Sequence, residues 1–416
     1  MRMLEKMMMA LLLFFCICFC SCEKEEQPQG GKMLRLQLTM PESIHVDTKV
    51  VTDAPPVPTL GGITINNVWI VQFKVNDDGT SGNCLKALYV PQNSISQDTN
   101  LGGLVVNLKT GGDGADKTTE FSYEKSRFYV IANGKKNMFT TESTDELMYS
   151  LTPTELSALT EKILKEKTVL IKKDTDPLET TSPTLLTSNP FDYTPTEEEG
   201  GVIKVRTQMF RAFAKIKVTI ESPAPGLFSL DELEGASGTT YVNIGYLPKK
   251  MATYRAAGAS GTTYPLLEDV LEGPFKLTSS SQLSKDKRSI ELSFFMAENL
   301  RGIGTSTTQQ GKNKAENAPG KSLTGCTYIE LSGTYRYYSG AAQAGDDGHE
   351  DGVKVKYRFY LGGNFTNDYN IARDYSYELT FNIAGPNSAD VRVQITDGNV
   401  AVFDEVHVVD NIEVNF

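Results

Sequence analysis

The chain has 416 residues and a mass of 45.7 kDa, enough for two or three domains. Hydrophobic residues at 39% and charged residues at 22% exclude a disordered chain, and a net charge of −11 argues against nucleic acid or an anionic membrane surface as a partner held by bulk charge. Three histidines leave little room for His-rich metal sites or repeated acid–base chemistry, so the composition disfavours an enzyme, while 35 Gly, 18 Tyr and 19 Phe tilt the class toward β.

In chain order, Arg2 and Lys6 precede an apolar run from Met7 to Phe19 that is too short for a membrane span and suits a signal h-region. The run ends in Cys20-Ser21-Cys22, followed by polar Glu23 to Pro28. A small residue directly before a Cys at this place resembles a bacterial lipobox. It implies cleavage after residue 21 and lipidation of Cys22, with palmitate among the acyl groups. An ordinary secretory signal with incidental cysteines is the alternative. Beyond the signal only Cys84 and Cys326 remain, as two buried thiols or as one disulfide.

After a tether over residues 22–32, Leu34, Leu36, Leu38 and Met40 alternate with Met33, Arg35, Gln37 and Thr39, which predicts a strand with one buried face. A Pro-rich linker, Pro41 to Pro58, follows and contains Lys49. The stretch Ile63–Val75 predicts a strand with Val68, Ile70 and Gln72 on one face and Trp69, Val71 and Phe73 on the other. It ends in the hairpin turn Asn76-Asp77-Asp78-Gly79. Leu104–Leu108 and Arg127–Ala132 are further strands. Thr152-Pro153-Thr154-Glu155 reads as a capping box with Pro at N1, opening a helix through Lys167 with Leu156, Leu159 and Ile163 on one face.

Asp174 to Gly201 reads as a long loop, and Val202–Arg206 and Phe213–Ile220 as paired strands. Ser222-Pro223-Ala224-Pro225-Gly226 is the expected domain boundary, giving domains over 33–222 and 223–416, with the 174–201 loop as the alternative boundary. Strands are predicted over Tyr241–Tyr246, Ile290–Met296, Tyr328–Tyr338, Val353–Leu361, Tyr375–Ala384 and Val391–Ile395. Loops are expected over Arg301–Gly325 and Gly340–Gly352. Both halves therefore read as β-sandwiches, an all-β chain with a minor helix.

From residue 400 the even positions carry Val400, Val402, Val406, Val408, Ile412, Val414 and Phe416, interrupted by Asp404 and Asp410. Such a segment wants a long apolar groove with its backbone paired on both sides. A terminal hairpin folded onto its own domain is the alternative.

The lipoprotein signal, Asn67-Val68-Trp69-Ile70-Val71-Gln72-Phe73, Phe128-Tyr129-Val130-Ile131-Ala132-Asn133, Arg211-Ala212-Phe213-Ala214-Lys215-Ile216, Phe295 to Gly302 and Tyr357 to Asn364 occur in an order that resembles the fimbrillins of the Bacteroidales, subunits of the type V pilus. The Phe359-to-Asn364 run and the C-terminal extension look more like accessory or tip-type subunits. The resemblance implies two tandem transthyretin-like β-sandwich domains, export as an outer-membrane lipoprotein, and a place in a surface fimbrium. It also implies that a protease cutting after Arg or Lys removes the first strand and that a neighbour's terminal strand fills the groove. Lys49 is then the cleavage candidate, Val400–Phe416 the donor segment, and other fimbrial subunits, a lipid anchor before processing and a host or bacterial surface ligand the partners. No cofactor or metal is implied.

Among enzymatic readings, His45, His349 and His407 share no motif with a Cys, and no phosphate-loop or zinc spacing occurs. Asp346 to Asp351 reads as a solvated acidic loop rather than a calcium loop. Tyr335, Tyr337, Tyr338, Tyr357 and Tyr360 make an aromatic-rich hairpin. Cross-strand packing explains it, and a glycan-binding surface lipoprotein is the second functional reading.

Overall fold

The structure is a computed structural model and describes residues 33–40, 59–60, 62–98, 103–107, 121–142, 144, 147–170, 178, 184–195, 202–222, 227–254, 263–283, 288–336, 352–385 and 388–396. The described residues form mostly strands, arranged in several sheets, with a few short helices.

The N-terminal half contributes β1 (Met33–Thr39), β2 (Thr59–Leu60), β3 (Ile63–Thr64), β4 (Asn67–Val75), β5 (Ser81–Pro91), β6 (Ile95–Asp98), β7 (Gly103–Asn107), β8 (Ser126–Ala132), β9 (Tyr149–Ser150), β10 (Thr168–Leu170), β11 (Leu186–Ser188), β12 (Phe191–Tyr193) and β13 (Val202–Arg211). One layer runs β6-β7-β1-β13. The other runs β8-β4-β5-β9, with β11 and β12 on β8, and the β11–β13 pair joins the two at one corner. Leu34, Leu36, Leu38, Leu104 and Val106 from the first layer meet Val68, Ile70, Leu88, Val90, Phe128 and Val130 from the second, forming the core.

The second layer is buried on both faces, as the unbroken apolar run of β4 requires. Trp69, Val71, Phe73, Tyr89, Tyr129 and Ile131 point away from the first core into another cluster. Buried Gln72 lies on the Val68 side, where its Nε2 donates to Ser122 O (2.7 Å) and Ser126 Oγ (2.9 Å). The expected turn after Val75 is present, with Gly79 at φ +80 donating its N–H to Asn76 O.

The capping box forms as the sequence predicts. Thr152 Oγ1 accepts from Glu155 N, and the Glu155 carboxylate accepts from Thr152 N at 2.8 Å. The single helix does not form. Leu159 is extended and Thr160 caps a new turn, giving two short helices, Pro153–Ala158 and Glu161–Glu166. This break turns Leu164 into the core and leaves Ile163 47% exposed, the reverse of the periodicity argument.

The C-terminal half contributes β14 (Phe213–Glu221), β15 (Phe228–Leu230), β16 (Thr240–Gly245), β17 (Leu247–Pro248), β18 (Lys250–Ala252), β19 (Val270–Leu271), β20 (Phe275–Ser279), β21 (Ser289–Ala297), β22 (Tyr328–Tyr335), β23 (Val353–Tyr360), β24 (Ser376–Gly385) and β25 (Ser388–Thr396). Its layers are β21-β14-β24-β25 and β15-β22-β16-β20, with β23 on β22. On β14, Ala214, Ile216, Val218 and Ile220 face the core, while Lys217 on the other face pairs with Glu291 at 3.0 Å. Tyr335 and Tyr357 are buried in this core, so these two members of the aromatic hairpin serve packing.

Two sequence expectations are corrected. β13 and β14 do not pair. β13 lies against β1 and β11, whereas β14 lies between β21 and β24. Only Ala212 separates them, and one buried residue cannot make a hairpin turn. The change of sheet therefore falls at Ala212. Finally, β11 and β12 lie inside the stretch read as a long loop. There Phe191 stacks on Phe128 (centroids 5.5 Å apart), and Ser188 Oγ accepts from Val130 N at 3.1 Å.

The halves are tied together across that change of sheet. Tyr254 packs edge-on against Tyr129 with centroids 4.8 Å apart, and its hydroxyl donates to Val130 O at 2.8 Å. β10 pairs with β18. Asp374, at φ +65, donates its N–H to Phe213 O and accepts from Arg211 N at 3.0 Å. Cys84 and Cys326 are both buried and unpaired, and burial raises their thiols to about 12 and about 11, as expected of inert packing cysteines.

Candidate functional site

The alternation in Met33–Thr39 dictates a strand with one apolar face, and the structure places that strand inside a sheet rather than at its edge. β1 pairs in parallel with β13 along its whole length and antiparallel with β7 over Arg35–Leu38. Leu36 lies opposite Val205 on one side and Val106 on the other. Leu38 lies opposite Thr207 and Leu104. The three leucines are fully buried. Thr39, expected on the outer face, is also buried, and its hydroxyl donates to Thr207 O at 3.3 Å.

The first strand of the described residues thus occupies a slot between β7 and β13. Its main chain satisfies both flanking edges, and its leucines close the first core. Without it, each flanking strand would present a row of unpaired N–H and C=O groups above an apolar trench. The fit is close on the β7 side. A Cβ on Gly103 would lie 2.5 Å from the Leu38 carbonyl oxygen, so only glycine allows this approach. It is imperfect elsewhere, because the Gln37 amide nitrogen is buried without a hydrogen-bond partner among the described residues. Arg35 is exposed but sits mid-strand, paired on both sides, a poor protease substrate.

The remaining sequence-derived candidates fall outside the described residues. Cys22 precedes β1, and Lys49 belongs to the connection between β1 and β2. The donor candidates Val400, Val402, Val406, Val408, Ile412, Val414 and Phe416 follow β25, which pairs with β24 at the end of its sheet. His45, His349 and His407 and the acidic 346–351 loop also lie outside them. Among the described residues no group of three or more His, Cys, Asp or Glu is gathered to hold a metal ion, and no helix is long and apolar enough to cross a membrane. Sequence reasoning missed the parallel partnership with β13 and the role of Gly103. Period two reports which face of a strand is buried but not which strand lies beside it.

A family model described as a domain of unknown function (DUF4906) matches residues 294–381. No curated protein matches the chain. Similar solved structures include the tip fimbrial protein Mfa3 from Porphyromonas gingivalis with C-terminal truncation, at 9% identity and a TM-score of 0.47, covering 88% of this chain and 100% of that one. A fimbrial assembly protein from Parabacteroides distasonis has 13% identity and a TM-score of 0.40, covering 88% and 96%. The fimbrial anchor protein Mfa2 from Porphyromonas gingivalis has 10% identity and a TM-score of 0.35, covering 88% and 97%. Structural neighbours of the chain are thus fimbrial proteins of the Bacteroidales.

Proposed function

We propose that the chain is a structural or adhesive subunit of a surface fimbrium, exported as a lipoprotein and assembled by strand exchange at the β1 slot. The observation that carries this reading is the position of β1. An N-terminal strand paired on both edges and filling the core is a removable plug only if the chain can be cut beyond it, and the Pro-containing connection after β1 carries Lys49. Burying three leucines is worth roughly 4–9 kcal/mol on transfer, so an emptied slot strongly favours any strand with matching alternation.

The segment Val400–Phe416 offers that alternation, supplied by a neighbouring subunit. The fit of β1 leaves room for a better occupant, since the Gln37 amide nitrogen is buried without a partner among the described residues. A lipid on Cys22 would hold the uncut subunit at the outer membrane, and cleavage after Lys49 would release plug and tether together. N-terminal sequencing of polymerised protein tests the reading. A mature start at Val50 is expected, and fibre subunits that retain Met33–Thr39 would overturn the exchange.

A further inference from the structure

Five large hydrophobic residues are exposed among the described residues, and three of them, Leu266 (64%), Leu267 (54%) and Ile303 (65%), border one surface groove of about 770 Å³. Pro265 and Pro319 continue its apolar lining, and Arg301 lies within it, only 6% exposed. The guanidinium is fixed from two sides. Its Nε donates to Asn299 Oδ1 (2.6 Å) and its Nη2 to Pro265 O (2.9 Å), while Nη1 has no hydrogen-bond partner among the described residues.

Asn299 is itself immobilised, donating to Gly325 O (2.9 Å) and Thr327 Oγ1 (2.7 Å). The other buried arginines of this half and its junction have carboxylates, Arg211 beside Asp374 and Arg373 beside Glu298. Arg301 has none among the described residues, and burial alone lowers its affinity for a proton. A buried cation without an anion is costly, and an arriving carboxylate would relieve that cost. Leu267 and the guanidinium both lie against Gly325, where a Cβ would stand 2.5 Å from Leu267 Cδ2 and 3.3 Å from Arg301 Cζ. The exposed Leu267 side chain therefore sits beside the guanidinium in the wall of the groove.

The groove asks for an acidic group with aliphatic neighbours on the same side. In an extended peptide, same-side neighbours are two residues apart. The chain carries that pattern twice after β25, as Val402-x-Asp404-x-Val406 and Val408-x-Asp410-x-Ile412. We infer that the chain's own tail, residues 402–412, docks in the Arg301 groove, with an Asp carboxylate on the guanidinium and the flanking aliphatic side chains on Leu266, Leu267 and Ile303. Tethering favours the chain's own tail over a second copy by its effective concentration. The docking gives each aspartate a cation to meet. It describes the unassembled subunit, whose tail must leave the groove before it enters a neighbour's slot, and it is tested on that subunit apart from strand exchange at β1.

The test uses the intact protein labelled at Ile and Leu methyl groups. Replacing both aspartates (Asp404→Asn with Asp410→Asn) should shift the Ile303, Leu266 and Leu267 methyl signals away from their wild-type positions. A free peptide of residues 402–412 added to that variant should restore them saturably. The same peptide with both Asp changed to Asn should bind at least tenfold more weakly. Ile303→Asp, at an exposed position, should abolish peptide binding without lowering the melting temperature. Identical methyl spectra in wild type and double variant would overturn the docking, as would equal binding of the two peptides. Wild-type shifts that depend on protein concentration would replace the chain's own tail by a second copy and so also overturn it.

Discussion

Removing β1 is the perturbation that separates a plug from an ordinary core strand. A chain beginning at Val50 lacks Leu34, Leu36 and Leu38, which are fully buried, and leaves β7 and β13 without their shared partner. The transfer term alone is roughly 4–9 kcal/mol. That is comparable with the whole stability of a typical domain, about 5–15 kcal/mol. The first sandwich should then melt roughly 10–35 °C lower, at 2–4 °C per kcal/mol, while the second, whose core holds no β1 residue, keeps its transition.

Calorimetry of the Val50-start chain gives both transitions. A synthetic peptide of residues 33–49 added in trans should restore the lost one, and the same peptide with Leu36→Asp should not. A peptide of residues 400–416 should restore it as well, because the proposed donor enters the same slot. A Val50-start chain that melts within a few degrees of the full chain would refute the slot. Rescue by 33–49 but not by 400–416 would refute the donor assignment and leave the slot intact.

Gly103→Val should push β7 off the Leu38 carbonyl and lower the first transition by about 1–3 kcal/mol, read by urea unfolding, with no change in the second. Lys312 is almost wholly buried, its Nζ donates to Asn364 O at 2.6 Å, and burial brings its pKa down to about 7. Between pH 7 and about 10.4 the unfolded chain binds a proton there that the folded chain refuses, so this group makes stability rise with pH across that window. Lys312→Met should therefore be more stable than wild type at pH 7, by roughly 1–3 kcal/mol after the lost hydrogen bond is counted, with the gain vanishing by pH 10.5. Equal melting-temperature differences at pH 7 and pH 10.5 would count against the buried-lysine account. Cys22→Ala should lose incorporation of a palmitate analogue in growing cells, and labelling that persists would show the lipid is carried elsewhere.

The strands were legible wherever one or both faces are buried over several residues. β1, β4, β8, β14, β21 and β24 all stand where period two or an unbroken apolar run puts them. The capping box at Thr152 was legible because it is a local contact between residues three apart. What failed was longer in range or shorter in extent. β11 and β12 have three residues each, too few for a period to register amid polar neighbours. The β13–β14 pairing was expected because both are amphipathic strands in sequence. The contrary signal was there in Arg211-Ala212-Phe213, which contains no turn-forming residue. The Arg301 groove was hidden in a stretch of low hydrophobicity. Neither an isolated arginine nor an isolated leucine announces that its neighbours will leave one buried and the other exposed.

The passage through Ala212 connects the two ends at which a fibre would be built. β1 lies parallel to β13, and β13 continues through one buried residue into β14. β14 lies parallel to β24, and β24 pairs with β25, after which the 400–416 segment begins. β25 runs antiparallel to β24, with Thr396 opposite Ser376 and Ser376 beside Lys215, so the chain leaves β25 near the Ala212 end of β14. One end of the slot, where Thr39 lies opposite Gln208, and the root of the proposed donor therefore both lie close to the change of sheet. The Asp374 contacts to Arg211 and Phe213 fasten that point, and the Tyr254–Val130 bond and the β10–β18 pair bridge the two halves beside it. In the proposed fibre these contacts, rather than the length of β14, would carry load between the slot and the donor.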